Sequence, residues 1–228
     1  MATVVCSASR CLTWVVFAGF FIAFASVCAG SARAAEYVPS AAERRAQINR
    51  VIDALNSPDP TTRIITLEEA TASKDANLRR IALSTAFASA DPDLRGAALT
   101  AAVRLAPVFV VDIASGPAGE VRQGTGASFE VRINKFDRGT NTFRTSSRYS
   151  RNPNASYAGT PVNEGASQGA VTGDRISFSV DLFQINYQCS GVARLQGGTT
   201  SLKGTMSCTI VSGYFKTESY DIKIDVPK

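Results

Sequence analysis

The chain changes its rhythm once. Between Glu43 and Leu105 apolar residues recur every three or four positions, and after Pro107 they recur every second one. Between Glu43 and Ala102 the first rhythm also repeats at a spacing of sixteen. Asp59, Asp75 and Asp91 form one series, and Arg63, Arg79 and Arg95 a second. Leu67, Leu83 and Leu99, then Ala70, Ala86 and Ala102, complete it. Sixteen residues suffice for one helix and one turn. The steps Asp59-Pro60 and Asp91-Pro92 supply a carboxylate N-cap followed by a proline where no N–H is needed. Four short helices are therefore predicted at about 41–56, 61–72, 77–88 and 93–104. Glu43, Gln47, Val51 and Ala54 make a weaker upstream copy without the arginine, as expected of a terminal unit whose outer face meets water.

The runs from Ala90 to Leu99 and from Ser73 to Leu83 resemble the HEAT repeat: a capping aspartate, an arginine four residues on, then an alanine-rich helix. The resemblance covers about 60 residues and carries one motif per helix where that family has one per helix pair. It implies a stack of helices in which aspartate and arginine bond between neighbouring units. Asp59, Arg63, Asp75, Arg79, Asp91 and Arg95 are then scaffold positions, with partner contact the alternative. So short an array buries little core alone and is expected to dock on the second half or on a partner.

The second half reads as strands. Phe129, Val131 and Ile133 alternate with Glu130, Arg132 and Asn134; Ile176, Phe178 and Val180 alternate with serine, arginine and aspartate. Tyr220, Ile222, Ile224 and Val226 alternate with Ser219, Asp221, Lys223 and Asp225. With Val108–Ile113, Asn141–Tyr149 and the segments flanking Gly198, about seven strands are expected, in an antiparallel sheet with one wet face, closed as a barrel or folded as a sandwich. The run from Gly169 to Val180 resembles strands of secreted meander barrels, including the avidin-like type. The tryptophans that biotin pockets use are missing, so no ligand set of that kind maps onto these residues.

One stretch sets its own register. If Gly198 and Thr199 form a type II′ turn, then Leu195 faces Leu202, Ala193 faces Gly204, Gly191 faces Met206, Cys189 faces Cys208 and Tyr187 faces Ile210. Polar residues fill the alternate positions, with Val192 the exception. A slip by one residue separates the cysteines and buries Lys203.

An apolar run from Leu12 to Ala29 follows Arg10 and ends in Ala32-Arg33-Ala34, which reads as an export signal over residues 1–34. A retained anchor and a lipid-modified Cys28 are the alternatives. Cleavage removes Cys6, Cys11, Cys28 and Trp14, and lowers the net charge from +5 to +3. The mature chain then holds Cys189 and Cys208, expected as a disulfide in the periplasm or outside the cell. Free thiols or an incomplete metal set are the lesser readings, and no metal or cofactor is expected. The chain has no histidine, which excludes histidine-based triads and dyads and the commonest transition-metal ligand. The mild positive charge does not fit a nucleic-acid binder, and no membrane contact is expected once the signal is gone.

Cationic residues cluster in one place: Arg132, Lys135, Arg138, Arg144, Arg148 and Arg151 surround Asp137 and are interleaved with Phe136, Phe143, Tyr149 and Tyr157. Arginine beside tyrosine suits an anion or an anionic glycan. The plainer reading is a solvated face whose charges protect strand edges. After it, Asn152–Gly169 reads as a long loop. Asp137, Glu164, Asp174 and Asp181 are the carboxylates available to a hydrolase, and their spacing selects no pair. The expectation is an α+β protein: an export signal at 1–34, a HEAT-like helical repeat stack over 35–105, and an antiparallel β-barrel or β-sandwich over 106–228. Its expected role is non-enzymatic, as an interaction or scaffold protein of the cell envelope whose partner is another envelope protein. The alternatives are a β domain that binds an anionic glycan or small molecule and, less favoured, a carboxylate-type hydrolase.

Overall fold

The computed structural model describes residues 39–106, 108–115, 128–150, 167–182, 187–210 and 217–226. Four helices come first: α1 (Ala41–Leu55), α2 (Pro60–Ala72), α3 (Ala76–Ala88) and α4 (Pro92–Leu105). Each packs on the next and on the one after it. Asp59, Asp75 and Asp91 are the N-caps of the last three, accepting from backbone N–H groups two or three residues on. In α1 the sixteen-residue spacing points to Glu43, but the cap is Ser40. Glu43 sits in the third helical position and bonds back to it, the reciprocal arrangement of a capping box.

The turn between helices is built by three residues at fixed spacing. Ser57, Ser73 and Ser89 each accept the N–H of the aspartate two residues later with their hydroxyl oxygens. Arg63, Arg79 and Arg95 then fold back and donate to those serines' carbonyl oxygens at 2.7, 2.6 and 2.9 Å. Arg63 also reaches Asp91, in the unit after the next, at 2.7 Å. The arginines thus work mainly within their own turns, and the long-range bond skips a unit, where bonding between neighbouring units was expected.

Eight strands follow: β1 (Val108–Ser115), β2 (Ser128–Asp137), β3 (Thr142–Ser150), β4 (Gln168–Thr172), β5 (Arg175–Leu182), β6 (Tyr187–Leu195), β7 (Ser201–Ile210) and β8 (Thr217–Asp225). Each is antiparallel to the next, and β8 pairs with β1, so the sheet closes into an up-and-down barrel. The strand absent from the sequence reading is β4. It begins inside what reads as a loop, and its Gly169 is already buried.

The β6–β7 register is the predicted one, from Leu195 opposite Leu202 to Tyr187 opposite Ile210. The turn differs. Thr199 N–H bonds to Gln196 O at 3.1 Å, with Gly198 at φ +69°, so the chain reverses through Gln196–Thr199 with glycine third instead of a glycine-first turn at Gly198-Thr199. Because the loop grows symmetrically, the pairing is unchanged.

In β2 strict alternation from Phe129 would carry Lys135 into the core. The ladder shifts between Ile133 and Lys135, and this one-residue bulge at Asn134 turns Lys135 outward and Phe136 inward, where it stacks on Phe143.

The helices and barrel share one apolar core, and residues 39–228 form one compact unit. Docking runs through α4. A Cβ on Gly96 would stand 3.1 Å from the backbone of Gly173, in the β4–β5 turn, so the helix and the turn touch main chain to main chain.

Candidate functional site: the barrel lumen and outer face

The two ends of the barrel differ. At one end the strands join by short turns, 138–141, 173–174 and 196–200; from the other leave the connections 116–127, 151–167, 183–186 and 211–216. Rings occupy the lumen: Phe109, near the short-turn end of β1, meets Phe143 and Phe178 edge-on, at centroid distances of 6.2 and 6.3 Å, and Phe129, near the opposite end of β2, lies 6.4 Å from Phe178. One ladder row alternates large and absent side chains: Phe143, Gly169, Phe178, Gly191, Met206. A Cβ at Gly169 would collide with the Phe143 ring, and one at Gly191 would stand 2.5 Å from the Phe178 ring. The rings lie where the glycines leave room.

The next inward row, one step toward the connections 151–167 and 183–186, is mixed, with Thr145 and Glu218 set among Ile133, Val180 and a cystine. Thr145, buried to 1%, pairs with Ile133, and its N–H bonds to Ser167 O at 2.9 Å. Farther round, Val180 pairs with Cys189, Cys189 with Cys208, and Cys208 with Glu218. Cys189 and Cys208 form a disulfide, with Cα atoms 4.0 Å apart. Glu218 is 4% exposed and accepts from the Tyr220 hydroxyl at 2.5 Å. The Thr145 hydroxyl is buried and has no hydrogen-bond partner among the described residues.

Two other hydroxyls here have structural work. β4 is too short to fill the wall between β3 and β5, and serines bridge the gap: Asp181 N–H donates to Ser167 Oγ at 3.1 Å and Ser147 Oγ donates to Asp181 O at 2.9 Å. Thr145, Ser147, Glu218 and Tyr220 were missed from sequence as site residues although a signal exists. Each falls in phase with the apolar alternation of its strand, Thr145 and Ser147 with Phe143, and Glu218 with Ile222 and Ile224.

Of the predicted cationic strip, Arg132, Lys135 and Arg144 lie exposed on β2 and β3, and Arg138 is exposed in the turn between them. Lys135 and Arg144 oppose one another directly. Arg148 stands opposite Glu130 in the ladder and Tyr149 opposite Phe129; their side chains, and Arg151 and Tyr157 entirely, lie outside the described residues, as do Glu164 and the leader at 1–34. Two expectations about the strip are corrected. Phe136 and Phe143 point into the core, so they are not stacked with the arginines. Nor are β2 and β3 edge strands, because closure gives each a neighbour on both sides. Asp137 accepts from Gly139 and Thr140 N–H groups and serves the turn. Asp174 lies at the short-turn end, 3.4 Å from Arg194, and Asp181 near the other end of β5, so Asp174 and Asp181 do not converge on one point. Among the described residues no three metal-ligating side chains come together.

The class of protein is an α+β one: a strictly sequential eight-stranded antiparallel barrel with phenylalanine rings in its lumen and four helices docked through α4 on its β4–β5 turn. Similar chains among solved structures include bradavidin2 in complex with biotin (17% identity, TM-score 0.34, covering 54% of this chain and 98% of that one). Rhizavidin (16%, TM-score 0.31, covering 53% and 83%) and short afifavidin with biotin (16%, TM-score 0.32, covering 53% and 90%) are others. No family model matches the sequence, and no curated protein matches it.

Proposed function

We propose that the protein is an exported binding protein whose barrel takes a small molecule in the polar part of its lumen. The observation that carries this reading is Thr145, whose hydroxyl is buried with no partner among the described residues: a buried hydroxyl left unbonded costs about 1–3 kcal/mol, a cost removed by a ligand that accepts its hydrogen bond. Glu218 and Tyr220, hydrogen-bonded to one another farther round the same wall, make that side of the lumen polar. The ligand class is a compact molecule bearing one acceptor and N–H or O–H donors, held over the aromatic floor. Export is supported by the Cys189–Cys208 disulfide, which persists in oxidising compartments. No described helix is long and apolar enough to cross a membrane. This reading is preferred to an envelope scaffold because α4 turns its small-residue face onto the barrel and withdraws it from partners.

Thermal unfolding of the processed chain with a panel of small amides, cyclic ureas including biotin, and monosaccharides tests it. Compounds that raise Tm for the wild type should lose most of that effect in Thr145→Val. If no compound shifts the wild type while Thr145→Val alone raises Tm, the hydroxyl belongs to packing and the reading fails.

A further inference from the structure

The outer wall carries a second feature, separate from the lumen. Over β3 to β7 it forms an open concavity of about 600 Å³, bordered by Gln168, Ser179, Ser190, Ser207, Thr205 and Val192 among others, with no charged side chain among the described residues of its lining. Four of the polar side chains are outward members of one ladder row: Gln168 joins Ser179 by backbone bonds to its hydroxyl, Ser179 pairs with Ser190, and Ser190 with Ser207, while Thr205 pairs with Val192 in the next outward row. The same row runs on in the other direction to Arg144 and then Lys135. Two like charges directly opposite one another in a ladder are destabilising, and neither of these makes an ion pair among the described residues.

We propose that this row is a binding groove for an acidic oligosaccharide. Lys135 and Arg144 take a sugar carboxylate or sulfate at one end, and the hydroxyls and the Gln168 amide take neutral sugar hydroxyls along the rest. Hydroxyls both donate and accept, as a sugar's own groups require, and Val192, 49% exposed, offers an apolar contact to a sugar's C–H face. At about 4.8 Å per strand the row from Arg144 to Ser207 spans roughly 19 Å, which suits a short oligosaccharide lying across the strands instead of along one. A single-stranded nucleic acid would call for stacking rings, and the lining has none facing outward. The cationic cluster read from the sequence is, on this account, one end of a groove and not the whole site.

Calorimetry of the full processed chain with tetragalacturonate, and with maltotetraose as the neutral counterpart, tests the groove. Tetragalacturonate should bind and weaken with added salt, maltotetraose at least about tenfold more weakly, since one charge-assisted contact corresponds to that factor. Lys135→Ser with Arg144→Ser should cost about tenfold or more. Ser190→Tyr, exposed and far from both cations, should abolish binding by filling the groove, and Thr205→Tyr should repeat the effect. Thr145→Val should leave it unchanged, which separates this site from the lumen. Failure of tetragalacturonate to bind, equal binding of maltotetraose, or wild-type affinity in both tyrosine variants overturns the proposal. The last result would leave a solvated charged strip.

Discussion

The Ser147 hydroxyl donates to the main-chain carbonyl of Asp181 at 2.9 Å, across the place where β4 has ended and β3 faces β5 directly. With Ser167 accepting from the Asp181 N–H on the same residue, two side chains replace a missing pair of ladder bonds. Ser147→Ala should therefore cost about 1–2 kcal/mol, because it leaves a half-buried carbonyl oxygen unbonded. Ser147→Ala with Ser167→Ala should cost more than either alone and should raise hydrogen exchange at the β3 and β5 ends. Equilibrium urea unfolding measures the first and exchange the second. Unchanged exchange would mean that water substitutes for both hydroxyls and that the wall is closed by something else.

The Arg63–Asp91 pair gives a pH dependence with a definite sign. The hydrogen bond from the Arg63 guanidinium, the larger influence, and those from helix N–H groups hold the Asp91 carboxyl below the usual aspartate value. A carboxylate depressed on folding contributes stability that is fully present above the unfolded value, about pH 4, and is lost as the pH falls through the folded one. Arg63→Ala should lower stability at pH 7 by about 1–2 kcal/mol, while its difference from wild type shrinks as the pH falls below the unfolded aspartate value of about 4 and on through the lower folded one. Urea midpoints at pH 7, 4 and 2.5 decide it. A difference that stays constant across that range would assign the effect to Arg63's bonds to the Ser57 and Pro58 carbonyls instead.

Where the sequence was legible, two independent patterns agreed. The β6–β7 pairing follows from alternation and facing cysteines together, and survives an error in the turn type because register depends on the loop's symmetry and not on its dihedrals. The helices follow from caps and period alike, to within a residue at each end. What was missed lay where a single pattern was interrupted. The bulge at Asn134 breaks alternation inside β2, so the strip's aromatics were placed beside its arginines when they belong to the core. β4 has too few residues, among glycine and serine, to show a period. Glu218 and Thr145 were visible as polar residues in apolar phase, but a sheet not yet known to close gives no lumen for them to face.

The disulfide closes the strand pair at its core-facing side. Joining Cys189 to Cys208 restricts the unfolded chain over a loop of 19 residues' separation, nominally worth about 3 kcal/mol, and less where the hairpin already limits that ensemble. Reduction should lower the urea midpoint by an amount corresponding to about 1–3 kcal/mol without changing the far-ultraviolet spectrum under native conditions. Mass spectrometry of the exported protein under non-reducing conditions should find the two sulfurs joined. Free thiols in that sample would contradict both the bond and the compartment.

The aromatic floor rests on glycines, and this is testable by coupling. Phe178 lies between Gly169 and Gly191 in the ladder, and a Cβ on Gly191 would stand 2.5 Å from its ring, too close to be absorbed without moving a ring packed against Phe109 and Phe129. Gly191→Ala should thus be destabilising by about 1–3 kcal/mol, although alanine suits a strand better than glycine does. Phe178→Leu alone should also destabilise, by loss of buried area and ring contacts. The double variant should be more stable than the sum of the two predicts, since leucine frees the space that the new methyl group enters; the expected coupling is about 1 kcal/mol or more, well outside additivity. Strict additivity in urea unfolding would show that the ring evades the methyl group by a small rotation, and that glycine at 191 serves the curvature of β6 instead of the packing of Phe178.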